Sequence, residues 1–427
     1  MQIHVVQSGQ TLYGIARTYG ISVADLSAAN QINPIQTLVI GQALVIPITG
    51  MYYFVQPGDT LYKIGRRFGV NHLRLAQMNA INPIDPLQIG FRLYIPPAPK
   101  TPVESNAYVE AVNGRFTDAA TSAVVEHAPL LTYLAPFSFE ARPDGSLATF
   151  DVSPIKGASA GSGAVLMMAV TNLENGQFSD AVGEAILNDT SVQDVLLDHI
   201  IEAAGEYGFQ DIHFDFEYLR PEDREPYNAF LKKAAQRLHA ERLLISTALA
   251  PKTSASQTGQ WYTAHDYRAH GEIVDFVVIM TYEWGYTYGP PMAVAPLHMV
   301  RRVAEYALTE IPADRIILGV PNYGYDWPLP YERGSTRART LGNVEAVQLA
   351  VSKGALIEFD EEAQSPYFHY LQDGVRHEVW FEDVRSYEAK FRLVRELNLK
   401  GVGFWQMMQL FRAGLLLARD RFRILKF

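Results

Sequence analysis

Four polar side chains alternate through Gly208–Leu219: Asp211, His213, Asp215 and Glu217. In an extended chain, residues i, i+2 and i+4 share a face, so these four point one way and Ile212, Phe214 and Phe216 the other. Carboxyl groups two residues apart are separated by ~6.6 Å of backbone rise, close enough to couple in a low-dielectric cleft. Such a pair can do acid–base chemistry. One group, its pKa raised by burial and by its neighbour's charge, holds a proton near neutral pH while the other is ionised. On an exposed strand the same D-x-E pair would be an ordinary solvated face. What covers the strand therefore decides what the residues can do.

The elements around it supply the cover. An amphipathic helix over Ser191–Tyr207, with Val192, Val195, Leu196, Ile200, Ala203 and Tyr207 on one face, precedes the strand and ends at Gly208. Candidate strands follow at Ala107–Val112, Leu131–Phe137, Ala164–Val170, Asp211–Glu217, Leu243–Ala250, Phe276–Tyr282, Ile316–Val320 and Gly401–Trp405, with helical patterns in most gaps. Eight such units predict an α/β fold, a (β/α)8 TIM barrel, with a doubly wound open sheet as the alternative. In a barrel the acidic face turns inward, and strand carboxyl ends line the active site. The gap 325–384 exceeds one helix; its Asp373-Gly374 pair predicts a hairpin within a small α+β insertion that walls the cleft.

The first 98 residues repeat with a period of 49. His4–Tyr13 recurs as Tyr53–Tyr62, Asn30–Ile35 as Asn79–Ile84, and Ile40–Pro47 as Ile89–Pro96. Each unit reads strand, helix, helix, strand. In the second, Asp59 or Thr60 caps the first helix, whose apolar stripe is Leu61, Ile64 and Phe68, and Gly69 ends it. The expected organisation is two small βααβ modules at 1–49 and 50–98, a proline-rich linker at 99–105, and a barrel at 106–427.

Composition narrows the function. The net charge of −10 divides into +3 over residues 1–98 and −13 beyond, so nucleic-acid binding by the body is not expected. No apolar run suits a bilayer, and no secretory signal pattern opens the chain. With no cysteine, there is no disulfide or thiolate metal site. The eleven histidines lack metal-site spacing, and no H-E-x-x-H occurs, so neither metal nor cofactor is expected.

Several motifs carry a resemblance. Phe214-Asp215-Phe216-Glu217 resembles the D-x-x-D-x-D-x-E signature of family 18 glycoside hydrolases. Met280-Thr281-Tyr282-Glu283, Gly319-Val320-Pro321-Asn322-Tyr323-Gly324 and Phe404-Trp405 match that family's motifs after strands six, seven and eight. The N-terminal units resemble LysM modules, which bind glycans containing N-acetylglucosamine. The combination is similar to spore cortex-lytic N-acetylglucosaminidases of endospore formers. The family departs from the usual two-carboxylate scheme by using the substrate's own acetamide as nucleophile. The resemblance implies Glu217 as acid/base, Asp215 as acceptor of the acetamide N–H, Tyr282 as donor to its carbonyl, and Trp405 as floor for the sugar ring. His213, Asp211 and Glu283 support them. Asn322, Tyr323, Trp284 and Trp327 are candidates for substrate binding, and Tyr286 and Tyr288 for sugar subsites. The module grooves would comprise Gly9, Thr11, Leu12, Asn33 and Ile35, and Gly58, Asp59, Thr60, Leu61, Asn82 and Ile84.

Three positions depart from the pattern. His213 stands where the family has aspartate, so Asp211 is expected to hold it in one tautomer. Glu283 stands where the family has Asp or Asn, and Ala169-Val170-Thr171-Asn172 replaces S-x-G-G. The expected activity is retaining, substrate-assisted cleavage of N-acetylglucosaminyl β-1,4 bonds in peptidoglycan, that of spore cortex during germination. The alternatives are a chitinase, an endo-N-acetylglucosaminidase, or a non-catalytic glycan-binding protein. The resemblance further implies a monomer made in the mother-cell cytoplasm without a signal peptide and placed at the spore cortex or coat, or otherwise associated with the cell wall. Removing residues 1–98 is expected to spare soluble substrates and weaken wall binding.

Overall fold

The computed structural model describes residues 1–409 and 411–427. Eight parallel strands close on themselves: Thr101–Glu110, Tyr133–Phe137, Val165–Thr171, Phe209–Asp215, Leu244–Leu249, Phe276–Ile279, Ile316–Pro321 and Gly401–Trp405. Closure leaves no sheet edge and turns one face of every strand into the barrel. The open-sheet alternative is excluded, because the eighth strand pairs with the first.

Strand four shows why its sequence alternates. Ile212, Phe214 and Phe216 pack outward, with Phe214 edge-on to Phe230 at 5.2 Å and Phe216 stacked on Tyr227 at 5.8 Å. Both partners belong to the helix Arg224–Ala240. The preceding helix runs Thr190–Tyr207, one residue longer than its apolar pattern, and is capped by Asp189, whose carboxylate accepts the N–H groups of Ser191 and Val192. Gly208 ends it with φ +80, as expected.

Between strands seven and eight lies a five-stranded antiparallel sheet with the helix Asn343–Lys353. Its central hairpin joins Ser365–Gln372 to Val375–Trp380 through Asp373 (φ +50) and Gly374 (φ +81), the left-handed pair a tight hairpin turn demands.

Both N-terminal units have the expected order, with Gln2–Val5 pairing Ala43–Ile46 and Met51–Phe54 pairing Arg92–Ile95. Thr11 and Thr60 cap the first helices, so the cap in the second unit is Thr60 and not Asp59. The expected linker is shorter than 99–105. From Thr101 the chain already forms the first barrel strand and pairs with Phe422–Ile424.

The first module does not hang free. Ile40 O accepts from Ile357 N at 3.0 Å, and Gly41 O from Arg385 at 3.1 Å. Gln31 Oε1 accepts from Arg412 N at 2.8 Å, and the N-terminal ammonium sits 2.7 Å from Asp420. Val39 joins the apolar core of the insertion, and Val45 joins that of the barrel. The second module rests on the first: Gln2 exchanges two hydrogen bonds with the Tyr52 backbone, and Arg92 reaches Thr18 O at 2.7 Å.

Candidate active site

At the carboxyl ends of the strands a cleft of about 960 Å³ opens, within the range of small-molecule sites. Asp215 is the last residue of strand four and Glu217 lies two residues beyond it, in the turn. Tyr282 also lies past the end of its strand, which stops at Ile279. All three line the cleft with Trp405, Glu283 and Tyr323.

Several contacts hold Glu217. Asn172, at the end of strand three, accepts from Glu217 N and donates to Glu217 O, both at 2.9 Å. His265 Nε2 donates to Phe216 O at 2.9 Å, while its Nδ1 accepts from Ala250 N. The Trp261 indole N–H donates to Glu217 Oε2. Tyr218, the next residue, has φ +53, and Glu283 after Tyr282 has φ +67. A left-handed conformation costs such residues ~1–2 kcal/mol, so the surrounding packing imposes both turns.

The electrostatics follow from this confinement. Burial first, then the Asp215 charge, push Glu217 well above the ordinary carboxyl range; Trp261 opposes and Glu283 adds to the rise. Asp215 is also raised by burial, and its Oδ1 has no hydrogen-bond partner among the described residues. Glu217 bears both burial and a facing charge, so of the two carboxyls it is the one that holds a proton. Glu283 is raised by burial and held by the hydroxyls of Tyr323 and Tyr325, the latter at 2.9 Å.

His213 is fully buried and neutral, its pKa lowered to about 3 by burial. Asp211 does not touch it directly. Ser246 stands between them, 2.8 Å from His213 Nδ1 and 2.7 Å from Asp211 Oδ2, and Tyr108 Oη lies 2.9 Å from His213 Nε2.

The remaining candidates divide. Trp405 packs edge-on against Phe137 at 4.9 Å and beside Tyr108 at 5.2 Å on the cleft floor. Tyr286 lines the cleft; Tyr288 and Trp284 are not among its lining residues. Trp327 is fully buried and donates to Gly289 O, so it is a core residue of the insertion wall and not a sugar platform. Asn322 lies below the cleft, where it donates to Gln406 O and accepts from Tyr387 Oη, fixing the loop after strand eight. In the modules Leu12 and Leu61 are buried in the small cores, beneath any groove. Asp59 is occupied by Tyr53 Oη at 2.6 Å and Gln56 N at 2.8 Å. Ile35 and Ile84 are 90% and 85% exposed, and their loops are turned by Asn33 and Asn82.

Asn172, Trp261, Tyr108 and Ser246 were not anticipated as site residues. Tyr108 and Ser246 occupy inward positions of strands one and five, where period-two alternation could have flagged a polar residue. Trp261 belongs to a loop without periodicity, and only the folded chain brings it to Glu217. It stacks on Tyr218 at 6.0 Å, and Tyr218 on Phe178 at 6.3 Å, which makes an aromatic wall. Trp261→Phe removes a hydrogen bond that strengthens as Glu217 gives up its proton and becomes a carboxylate, worth ~1.5–3 kcal/mol in the charged form. The expected result is a kcat lower by about tenfold or more and an alkaline limb moved to higher pH, since the lost donor favoured the Glu217 carboxylate. An unchanged limb in the pH–rate profile would remove Trp261 from this role.

The sequence profile of glycosyl hydrolases family 18 matches residues 138–409, and that of the LysM domain matches residues 4–47 and 53–96. The cortical fragment-lytic enzyme of Bacillus subtilis (strain 168) is 56% identical over 427 residues, 100% of this chain and 99% of that protein. The crystal structure of the Bacillus megaterium QM B1551 spore cortex-lytic enzyme SleL superposes with a TM-score of 0.93 at 46% identity, covering 100% of this chain and 99% of that one. That of the Bacillus cereus spore cortex-lytic enzyme SleL gives 0.89 at 41%, covering 100% and 98%. A closed barrel with its acid pair at the mouth, preceded by two βααβ repeats, thus has one family assignment: this chain is a glycosidase of glycosyl hydrolase family 18 carrying two LysM domains.

Proposed function

We propose that the chain hydrolyses N-acetylglucosaminyl β-1,4 bonds of spore cortex peptidoglycan, with retention, using the substrate's acetamide as nucleophile. The observation that carries this reading is the Asp215–Glu217 pair, two buried carboxyls two residues apart at an aromatic-lined cleft, both raised by burial and Glu217 further by the Asp215 charge. Glu217 gives its proton to the glycosidic oxygen as the acetamide oxygen attacks the anomeric carbon. Asp215 accepts the acetamide N–H and offsets the oxazolinium charge; Tyr282 donates to the acetamide oxygen, and Trp405 supports the ring. Glu217, now a carboxylate, takes a proton from the water that opens the oxazolinium.

The cortex assignment draws on the three relatives, whose names all specify cortex or cortical fragments. Charge supports a further restriction. Among the described residues, the ionisable ones lining the cleft are Glu110, Glu140, Asp215, Glu217, Glu283 and several tyrosines, and none is a lysine or arginine. Free carboxylates on the sugar are disfavoured there, so the sugars that flank the bond that is cut carry none. The LysM domains hold the polymer through the loops at Gly9–Thr11 with Asn33–Ile35 and Gly58–Thr60 with Asn82–Ile84, and two such sites lengthen residence on one strand. The protein is spore-associated, and it acts as a monomer on the glycan.

The test is a matched pair of soluble glycans, N-acetylated and de-N-acetylated. Product masses from the first should show N-acetylglucosamine at the new reducing ends, and the second should react at least about 10³-fold more slowly, because its nucleophile is gone. Equal rates would refute substrate assistance.

A further inference from the structure

We propose that Tyr108, His213, Ser246 and Asp211 form a proton relay from the cleft to the barrel floor, and that its state decides whether Tyr108 offers Asp215 a hydrogen-bond donor. The inference deepens the family reading of Asp215 and rests on it. The geometry is continuous: Tyr108 Oη to His213 Nε2 at 2.9 Å, His213 Nδ1 to Ser246 Oγ at 2.8 Å, and Ser246 Oγ to Asp211 Oδ2 at 2.7 Å. Both His213 nitrogens are thereby engaged, so the ring has none left for Asp215. Tyr108 lines the cleft beside Asp215, whose charge is the second cause, after burial, of the raised Tyr108 pKa.

The chain of groups has two self-consistent states. With Asp211 ionised, Ser246 donates to it, His213 Nδ1–H donates to Ser246, and Tyr108 O–H donates to Nε2. Tyr108 then presents only lone pairs to the cleft. On protonation, the Ser246 proton passes to Asp211, the Nδ1 proton to Ser246 and the Tyr108 proton to Nε2, while Tyr108 takes a proton from the cleft. The balance is one proton moved from the cleft to Asp211, every other group keeping its count. In this second state Nε2–H donates to Tyr108 Oη, and the tyrosine O–H turns to the cleft on the side of Asp215, whose unpartnered Oδ1 meets it by a rotation of the carboxylate. That donor stabilises the ionised Asp215 which the reaction requires. His213, Ser246 and Asp211 are positioning residues acting through Tyr108.

Asp211 sits where the second state prevails at neutral pH. It is fully buried, its pKa is pushed up to about 8 by burial, and its Oδ1 has no partner among the described residues. The charged and titratable groups facing it are Glu104 and Tyr108 on strand one, Tyr133 on strand two, Asp275 before strand six and Lys400 before strand eight. Glu104 and Asp275 raise it and Lys400 lowers it. Lys400 is itself paired to Glu104 at 2.8 Å, which also accepts from Tyr133 at 2.8 Å. His213 stays neutral throughout, so the change at that ring is of tautomer and not of charge.

The test is nitrogen NMR of the full chain labelled with ¹⁵N-histidine, beside pH–rate profiles on a soluble N-acetylated glycan. The His213 ring should carry its proton on Nε2 below pH 8 and on Nδ1 above, with a midpoint near 8. Asp211→Asn, whose amide can donate to Ser246 at any pH, should hold the Nε2–H tautomer from pH 6 to 10. The ratio of kcat/KM, variant to unaltered enzyme, should rise about tenfold from pH 7 to pH 9, because one unit past the midpoint leaves about a tenth of the active state. In Ser246→Ala, which cuts the chain while removing only one hydroxyl, the tautomer should no longer follow pH in this way. A pH-independent tautomer in the unaltered protein, or a flat ratio for Asp211→Asn, overturns the relay. The NMR reading needs no substrate. A protein that changes tautomer as stated yet splits no N-acetylated glycan upholds the relay and overturns the substrate reading.

Discussion

Glu217→Gln should retain no more than about one part in 10³ of the turnover of a soluble N-acetylated glycan, within the range general acid–base catalysis contributes. The glutamine amide has nearly the volume of the carboxyl and can still meet the Trp261 N–H through its oxygen, but it has no proton to give to the leaving oxygen. Stability separates this loss from misfolding. The folded pKa of Glu217 is raised above 4.5, so the folded state binds the proton more tightly than the unfolded chain. Its contribution to stability is present below pH 4.5 and is lost as pH rises toward the folded pKa. Replacing it by a neutral isostere removes that loss. The Tm of Glu217→Gln should therefore equal or exceed that of the unaltered protein at pH 7–8, and the difference should vanish below pH 4.5. A dead variant with a markedly lower Tm would mean that the loss came from the fold, and full turnover would mean that the acid lies elsewhere.

Deleting residues 1–98 should lower the Tm by about 10 °C while sparing kcat on soluble fragments at temperatures well below the transition. Val39 and Val45 are buried in the cores of the insertion and the barrel, and each such side chain contributes ~1.5–3 kcal/mol. Their loss alone is ~3–6 kcal/mol, at roughly 2–4 °C per kcal/mol for a domain of this order. The deletion also strips Ile357, Arg385 and Arg412 of module partners. No residue of either module lines the cleft, which is why the chemistry survives. Gly41 offers a test without deletion. A Cβ there would lie 1.7 Å from Ile357 O, and its φ is +84, so Gly41→Ala should loosen the module and lower Tm in the same direction. An unchanged Tm after removal of both modules would mean the docking contributes nothing. Unchanged retention on insoluble wall would deny the modules their anchoring role.

The amino-acid sequence by itself determined the repeats, the eight barrel strands, the hairpin at Asp373-Gly374 and the acid pair. Each depends on a local period or a local turn requirement, and such features survive in one dimension. The direction of every side chain on strand four was legible for the same reason: alternation is a property of the extended backbone. What the fold alone decided is who meets whom. Trp327 and Asn322 have residue types suited to sugar binding, yet the insertion buries the first and the strand-eight loop claims the second. Trp261 reaches Glu217 from a loop with no pattern of its own. Ser246 comes between Asp211 and His213 because strands four and five pair in a register that places it opposite His213. The stretch taken for a spacer became a strand since Phe422–Ile424, more than three hundred residues away, supplies its hydrogen bonds. Non-local contacts of this kind leave no trace in spacing or composition. They are also what turns a row of alternating polar residues into a site that can hold one proton on one carboxyl.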